Sequence, residues 1–214
     1  VCIRRLRVVL WLSAPILGRF HAEGVRKKLT FLHRASSNLR DDEVLLEILA
    51  AFPEEIRHPL DSFRHHVELE RARRAEEVLG TFGGPAMRQA LAELRALIVL
   101  PIRPWRDRKL ARFARERVRK AQKKVAARLS TDAADATGLH RLRIRSKRLR
   151  YVTEVFSSMV TPETAHWQKT AEKMQKRLGD IHDIDMVIAR LIQETELEAT
   201  LRARALASLR ELRA

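Results

Sequence analysis

The chain has 214 residues, 45% of them hydrophobic, and 43 Arg and Lys against 27 Asp and Glu give a formal net charge of +16 at pH 7. That length and apolar content allow one sizeable core or two smaller ones, and the excess of cations calls for an anionic partner: nucleic acid, an acidic membrane or a phosphate polymer. The single cysteine, Cys2, excludes an internal disulfide and a cysteine-based zinc site.

Seven Gly and seven Pro are few for this length, and no period-two run rich in Val, Ile, Thr and aromatics occurs, so the expected class is all-α with no sheet. The first segment, Val1 to Leu17, sets Arg4, Arg5 and Arg7 before an apolar run. It has the outline of a signal sequence, but the run is short for one and too short to cross a bilayer. An amphipathic helix is the better account. A second helix is expected from about Arg19 to Ser37, with Val25, Leu29 and Leu32 inward and Arg26, Lys27, Lys28 and Arg34 outward. Asp41 or Asp42 is read as opening a third helix, where a carboxylate suits the positive end of the dipole. Phe52-Pro53 ends it, Pro59 fits the first turn of a helix reaching Leu79, and Gly80 to Pro85 reads as a turn. Met87 to Val99 reads as a helix. Leu100-Pro101-Ile102-Arg103-Pro104 is the expected hinge between two halves, 1–100 and 101–214.

A basic helix follows from Trp105 to about Leu129, then a polar loop to Gly138. The next helix begins with Leu139-His140-Arg141-Leu142-Arg143-Ile144-Arg145-Ser146-Lys147-Arg148-Leu149-Arg150-Tyr151. Between 140 and 150 it carries six Arg or Lys and no acid. At helical spacing His140, Arg143, Lys147, Arg150 and Glu154 share one stripe. Thr161-Pro162-Glu163 is a start signal for a helix bearing Lys169, Lys173, Lys176 and Arg177, with Gly179 as its stop. Two helices, about 183–194 and 196–213, complete the expected series.

The charge is segregated. Residues 103–128 hold 12 cations against Asp107 and Glu116, whereas 41–55 hold six acids and no cation, and 180–198 hold six acids against Arg190. The basic run also recurs. Arg4-Arg5-Leu6-Arg7-Val8 matches Lys147-Arg148-Leu149-Arg150-Tyr151 at an offset of 143, and Arg40-Asp41-Asp42-Glu43 matches His182-Asp183-Ile184-Asp185 at 142. Two matches in the same order at nearly one offset indicate an internal duplication.

The pattern H-x-x-R-x-x-x-K-R-x-R-Y formed by His140, Arg143, Lys147, Arg148, Arg150 and Tyr151 resembles the CHAD family, the conserved histidine α-helical domain. Leu178-Gly179-Asp180-Ile181-His182-Asp183 and Leu39-Arg40-Asp41-Asp42-Glu43-Val44 resemble it too. The resemblance implies two helical bundles related by a pseudo-twofold, with a basic central cavity that binds inorganic polyphosphate. It departs from the family in two places. The first-half counterparts of His140 and Arg143 would precede Val1, and position 182 holds His where the family usually has a small polar residue.

The candidate ligands are thus Arg4, Arg5 and Arg7 on the first basic helix, and His140, Arg143, Lys147, Arg148, Arg150 and Tyr151 on its copy. Lys28 and Arg34, with Lys173 and Lys176, flank them. Arginine offers a planar fork to phosphate oxygens and lysine a point charge. One helical turn, about 5.4 Å, spaces such cations as a ladder for a repeating anion. Tyr151 is the only tyrosine, and its ring suits a core. His21, His33, His65 and His66 show no ligand spacing and read as surface or packing residues. His182-Asp183 and Asp183-x-Asp185 could serve a metal-dependent phosphohydrolase, but helix capping with an ion pair to a basic helix accounts for them better.

The expected function is therefore binding of a long linear polyanion, without catalysis, cofactor or metal. A cytoplasmic location, with association to polyphosphate granules and no transmembrane segment, fits that function. Three rivals remain. A nucleic-acid binder fits the charge, although aromatics at 5% of residues leave few bases a stacking platform. An enzyme acting on phosphoanhydrides would use Asp183 and Asp185. A peripheral membrane or granule-surface protein would use Trp11 and the apolar stretch Val8–Leu17.

Overall fold

The first helix, α1 (Cys2–Leu17), ends where Gly18 adopts φ of 90°, a left-handed conformation that a β-carbon disfavours. The chain turns there into α2 (Arg19–Ala35), and the Ala22 N–H returns to the Gly18 carbonyl at 3.1 Å. The helices then run α3 (Ser37–Ala50), α4 (Glu54–Arg57), a 3-10 turn (His58–Leu60), α5 (Asp61–Gly83), α6 (Pro85–Val99), α7 (Asp107–Ala126) and α8 (Ala136–Val155). A second 3-10 turn (Ser157–Met159), α9 (Pro162–Gln193) and α10 (Ala199–Arg213) follow. This computed structural model describes residues 2–100, 105–159 and 162–213, the side chains of 162–165 excepted. Every regular element among the described residues is helical. The expected hinge at 101–104 and the expected cap Thr161 lie outside them.

The chain divides into two compact units, neither of which is a continuous half. One comprises residues 1–33 and 85–179, the other 34–84 and 180–214. Each unit therefore takes chain from both of the sequential halves, 1–100 and 101–214.

In the first unit α7 and α8 pair closely, and α1 packs on α8. Leu12 of α1, Ala114 and Val118 of α7, and Val152 and Phe156 of α8 form one buried cluster, edged by Val8, Trp11 and Phe113. Ala121, Val125, Leu142, Leu149, Ala171 and Leu178 form another. The apolar positions of α8 recur at helical spacing, so Leu142, Leu149 and Val152 go inward and the intervening cations are pushed to its flanks. In the second unit α3 packs on α5. Leu45, Leu49, Phe63, Val67, Val187, Leu191, Ala205 and Leu209 share its core with neighbouring apolar residues.

Three sequence expectations change. Gly179 does not end a helix: α9, 32 residues long, runs through it to Gln193. A glycine inside a helix costs about 1 kcal/mol, a cost outweighed by burial of Leu178 on one side of it and Val187 and Leu191 on the other. Neither Asp41 nor Asp42 caps α3, which begins earlier, at Ser37. Asp183 and Asp185 likewise lie within α9 and not at a helix start. Finally, α5 runs through Gly80 to Gly83, so the expected turn shrinks to Gly84.

Candidate anion-binding site

The basic run of α8 does not present one face. It fans around the helix, and each cation meets a different environment. The helix is anchored at its start, where the Asp135 side chain accepts the Gly138 N–H at 2.8 Å. Gly138 leaves no room for a side chain: a β-carbon there would stand 2.2 Å from Asp135 Oδ2 and 2.6 Å from Thr131 Cγ2. His140 follows in the next turn and is exposed. Arg145 donates to the Lys124 carbonyl in the last turn of α7 at 3.0 Å, a cap for that helix's C-terminal end.

Arg148 is directed elsewhere, its guanidinium 3.8 Å from the centre of the Trp11 ring, which Arg117 also approaches at 5.4 Å. Burial first, then the charges of Arg117 and Arg26, depress the Arg148 pKa. Arg150 stacks on the buried ring of Tyr151 at 4.7 Å. Tyr151 thus belongs to the core and offers the cation its π-face.

Lys147 is half-buried on α8, and its charge acts on a histidine of α2. That histidine, His33, is half-buried, and Nε of Arg4 donates to its Nε2 at 3.3 Å. Burial first, then the charges of Arg4, Arg7 and Lys147, push the His33 pKa down. The nitrogen that accepts from Arg4 carries no proton, so His33 is neutral here. Charges from α1 and α8, more than 100 positions apart in sequence, therefore act on one imidazole of α2. Arg143, one turn before Lys147 on the same stripe, is half-buried.

Two of the expected ligands are already neutralised. Arg5 meets Glu154 at 2.7 Å, tying α1 to α8. Lys28 is bonded to Glu93 of α6. Lys173 and Lys176 are exposed on α9. Arg34 is exposed and belongs to the second unit. The structure thus groups Arg4, Arg7 and Lys147, sets Arg148 apart on Trp11, and adds His33, which the sequence offered only as a surface or packing residue.

The second unit uses its arginines differently. Arg74 of α5 forms a bonded pair with the buried Asp42, and also meets Glu70 at 3.2 Å. Glu70 reaches Arg190 at 3.4 Å. Arg213 grips Asp185 with Nε at 2.5 Å and a terminal nitrogen at 3.4 Å. Asp185 is therefore held by an arginine of α10. Among the described residues no three His, Cys, Asp or Glu side chains gather as a metal site. No helix among them is long and apolar enough to cross a membrane.

A helical architecture among the described residues, with cations of α1 and α8 acting on a histidine of α2, defines a class of domain. The chain belongs to the CHAD domain family, whose model it matches over residues 1–192. Its fold is similar to the crystal structure of the CHAD domain from the plant Ricinus communis, with a TM-score of 0.71 at 21% identity, over 98% of this chain and 72% of that one. It is also similar to PptA from Streptomyces chartreusis, with a TM-score of 0.69 at 20% identity, over 99% and 81% of the two chains. No curated protein matches the sequence.

Proposed function

We propose that this chain binds inorganic polyphosphate, or a closely similar linear polyanion, on the cationic cluster of its first unit, and performs no chemistry on it. The observation that carries this reading is the convergence of Arg4, Arg7 and Lys147 on His33. Like charges brought together on rigid helices repel one another, and that arrangement is relieved by an anion with several charges at short, regular spacing. Membership of the CHAD family supports the same ligand. Binding by Arg and Lys alone is fast, reversible and strongly electrostatic.

The nucleic-acid reading shares the phosphate attraction but needs platforms for bases. Trp11 is already covered by Arg148 and Arg117, and Tyr151 is buried. The phosphoanhydride-hydrolase reading rested on Asp183 and Asp185, and Asp185 is engaged by Arg213.

Calorimetric titration with long-chain polyphosphate, short oligophosphates and single-stranded RNA, at equal phosphate and salt, tests the proposal. Long-chain polyphosphate is expected to bind tightest. Its affinity should fall steeply as salt rises, because displaced counterions return to the polymer. Equal affinity for all three ligands, or an affinity indifferent to salt, would contradict it.

A further inference from the structure

His33 accepts from Arg4 of α1, and the charges of Arg7 on the same helix and of Lys147 on α8 act on it as well. A proton added to His33 in the free protein would create a further positive charge among these groups, and the half-buried position denies it full hydration. A phosphate polymer lying on the cluster reverses the sign of the local field. It also offers Arg4 a stronger acceptor than an imidazole.

We infer that His33 takes up a proton when a phosphate polymer seats on this cluster, and becomes a further cationic ligand of that polymer. The inference rests on the reading proposed above and adds to it a residue and a linkage. Arg4 turns its Nε–H from His33 to a phosphate oxygen. The freed lone pair on Nε2 accepts a proton from solvent, and the resulting imidazolium donates to a neighbouring phosphate oxygen. One proton leaves the solvent for each polymer segment seated, and no covalent bond changes.

The sign of the linkage follows from the geometry. The free form resists the proton and the bound form holds it, so affinity rises as pH falls through the range around the ordinary histidine value of about 6.5. Free His33 has its pKa pushed down by burial and by the surrounding cations. Without polymer, then, its contribution to stability is fully present above the unfolded histidine value and is lost as pH falls through the folded one.

The test is titration of the whole chain with long-chain polyphosphate, whose internal phosphates stay ionised across the range, at several pH values and in two buffers of different ionisation enthalpy. The wild type is expected to bind up to about tenfold tighter per pH unit on going from pH 8 to 6, the limit for one linked proton, with matching proton uptake. His33→Asn keeps an acceptor for Arg4 and removes the titrating group. It should lose the rise at lower pH; His33→Gln guards against a misfolded first variant. His65→Asn, at an exposed histidine of the second unit, should keep the rise. Polymer binding without proton uptake, or the same uptake in the His33 variants, would overturn the inference and leave the proposed function standing. No binding at any pH would overturn both.

Discussion

The two units hold the same kinds of charged residue: both tie cations to carboxylates, and the first also brings cations to a histidine. In the second unit Arg74, Arg190 and Arg213 each meet a carboxylate, from Asp42, Glu70 and Asp185. In the first, Arg4, Arg7 and Lys147 meet at an imidazole and at one another's charge. A net charge of +16 does not distinguish these cases. The difference lies in the imidazole of His33, which accepts from Arg4 and feels the charges of Arg7 and Lys147. An arginine satisfied by a partly buried carboxylate is a structural tie, and removing one partner leaves the other stranded.

The comparison can be broken most sharply by removing equal charge from different places. Arg7→Ala with Lys147→Ala should weaken long-chain polyphosphate binding about a hundredfold, roughly 3 kcal/mol for two charge-assisted contacts. Arg204→Ala with Arg210→Ala, both exposed on α10, should cost about threefold or less. Circular dichroism should find both variants folded.

Asp42→Ala should act on stability instead. Asp42 is only 8% exposed and holds Arg74, so its loss should cost about 2–3 kcal/mol. That would lower the melting temperature by roughly 5–10 °C, with affinity per folded molecule unchanged. Gly138→Ala should cost about 1–2 kcal/mol, because the new β-carbon displaces the Asp135 cap at the start of α8. Thermal melting measures both. The smallest effect should be a gain. Glu154→Gln releases Arg5, and calorimetry should find polyphosphate bound roughly two- to fivefold tighter, in keeping with an exposed pair worth about 0.5–1 kcal/mol.

Much of the fold was legible because local signals agreed with tertiary packing. Gly18 separates two helices, Pro162 opens one, and Leu142, Leu149 and Val152 mark the inner face of α8, whereas Ile144, expected to pack with them, is exposed. Gly179 misled because its cost is local, whereas the contacts that carry the helix through it are made by Leu178, Val187 and Leu191 to residues distant in sequence. Asp42 and Asp185 misled for a similar reason. A carboxylate early in an apolar stretch has the signature of a cap, and only the fold shows Arg74 and Arg213 arriving from other helices.

The basic helices of the site were legible as repeated motifs. Which of their cations converge was not, because a linear run of Arg and Lys wraps around its helix. His33 escaped notice since its neighbours lie 29 positions before it and 114 after it, at Arg4 and Lys147. One signal was available. His33 follows Leu29 by four and Leu32 by one, which places it at the border of the buried stripe of α2 and makes a free surface role a poor reading.

The claim that the first unit's cluster receives the polymer is tested most directly by asking which arginines a bound polymer covers. Arginine-selective labelling with a phenylglyoxal reagent, read peptide by peptide with and without long-chain polyphosphate, gives that map. Arg4 and Arg7 should be protected, together with Arg143 and Arg150 on α8, while Arg204 and Arg210 should react at an unchanged rate. Protection spread evenly over the chain, or centred on α7 or α10 and sparing α1 and α8, would contradict the account.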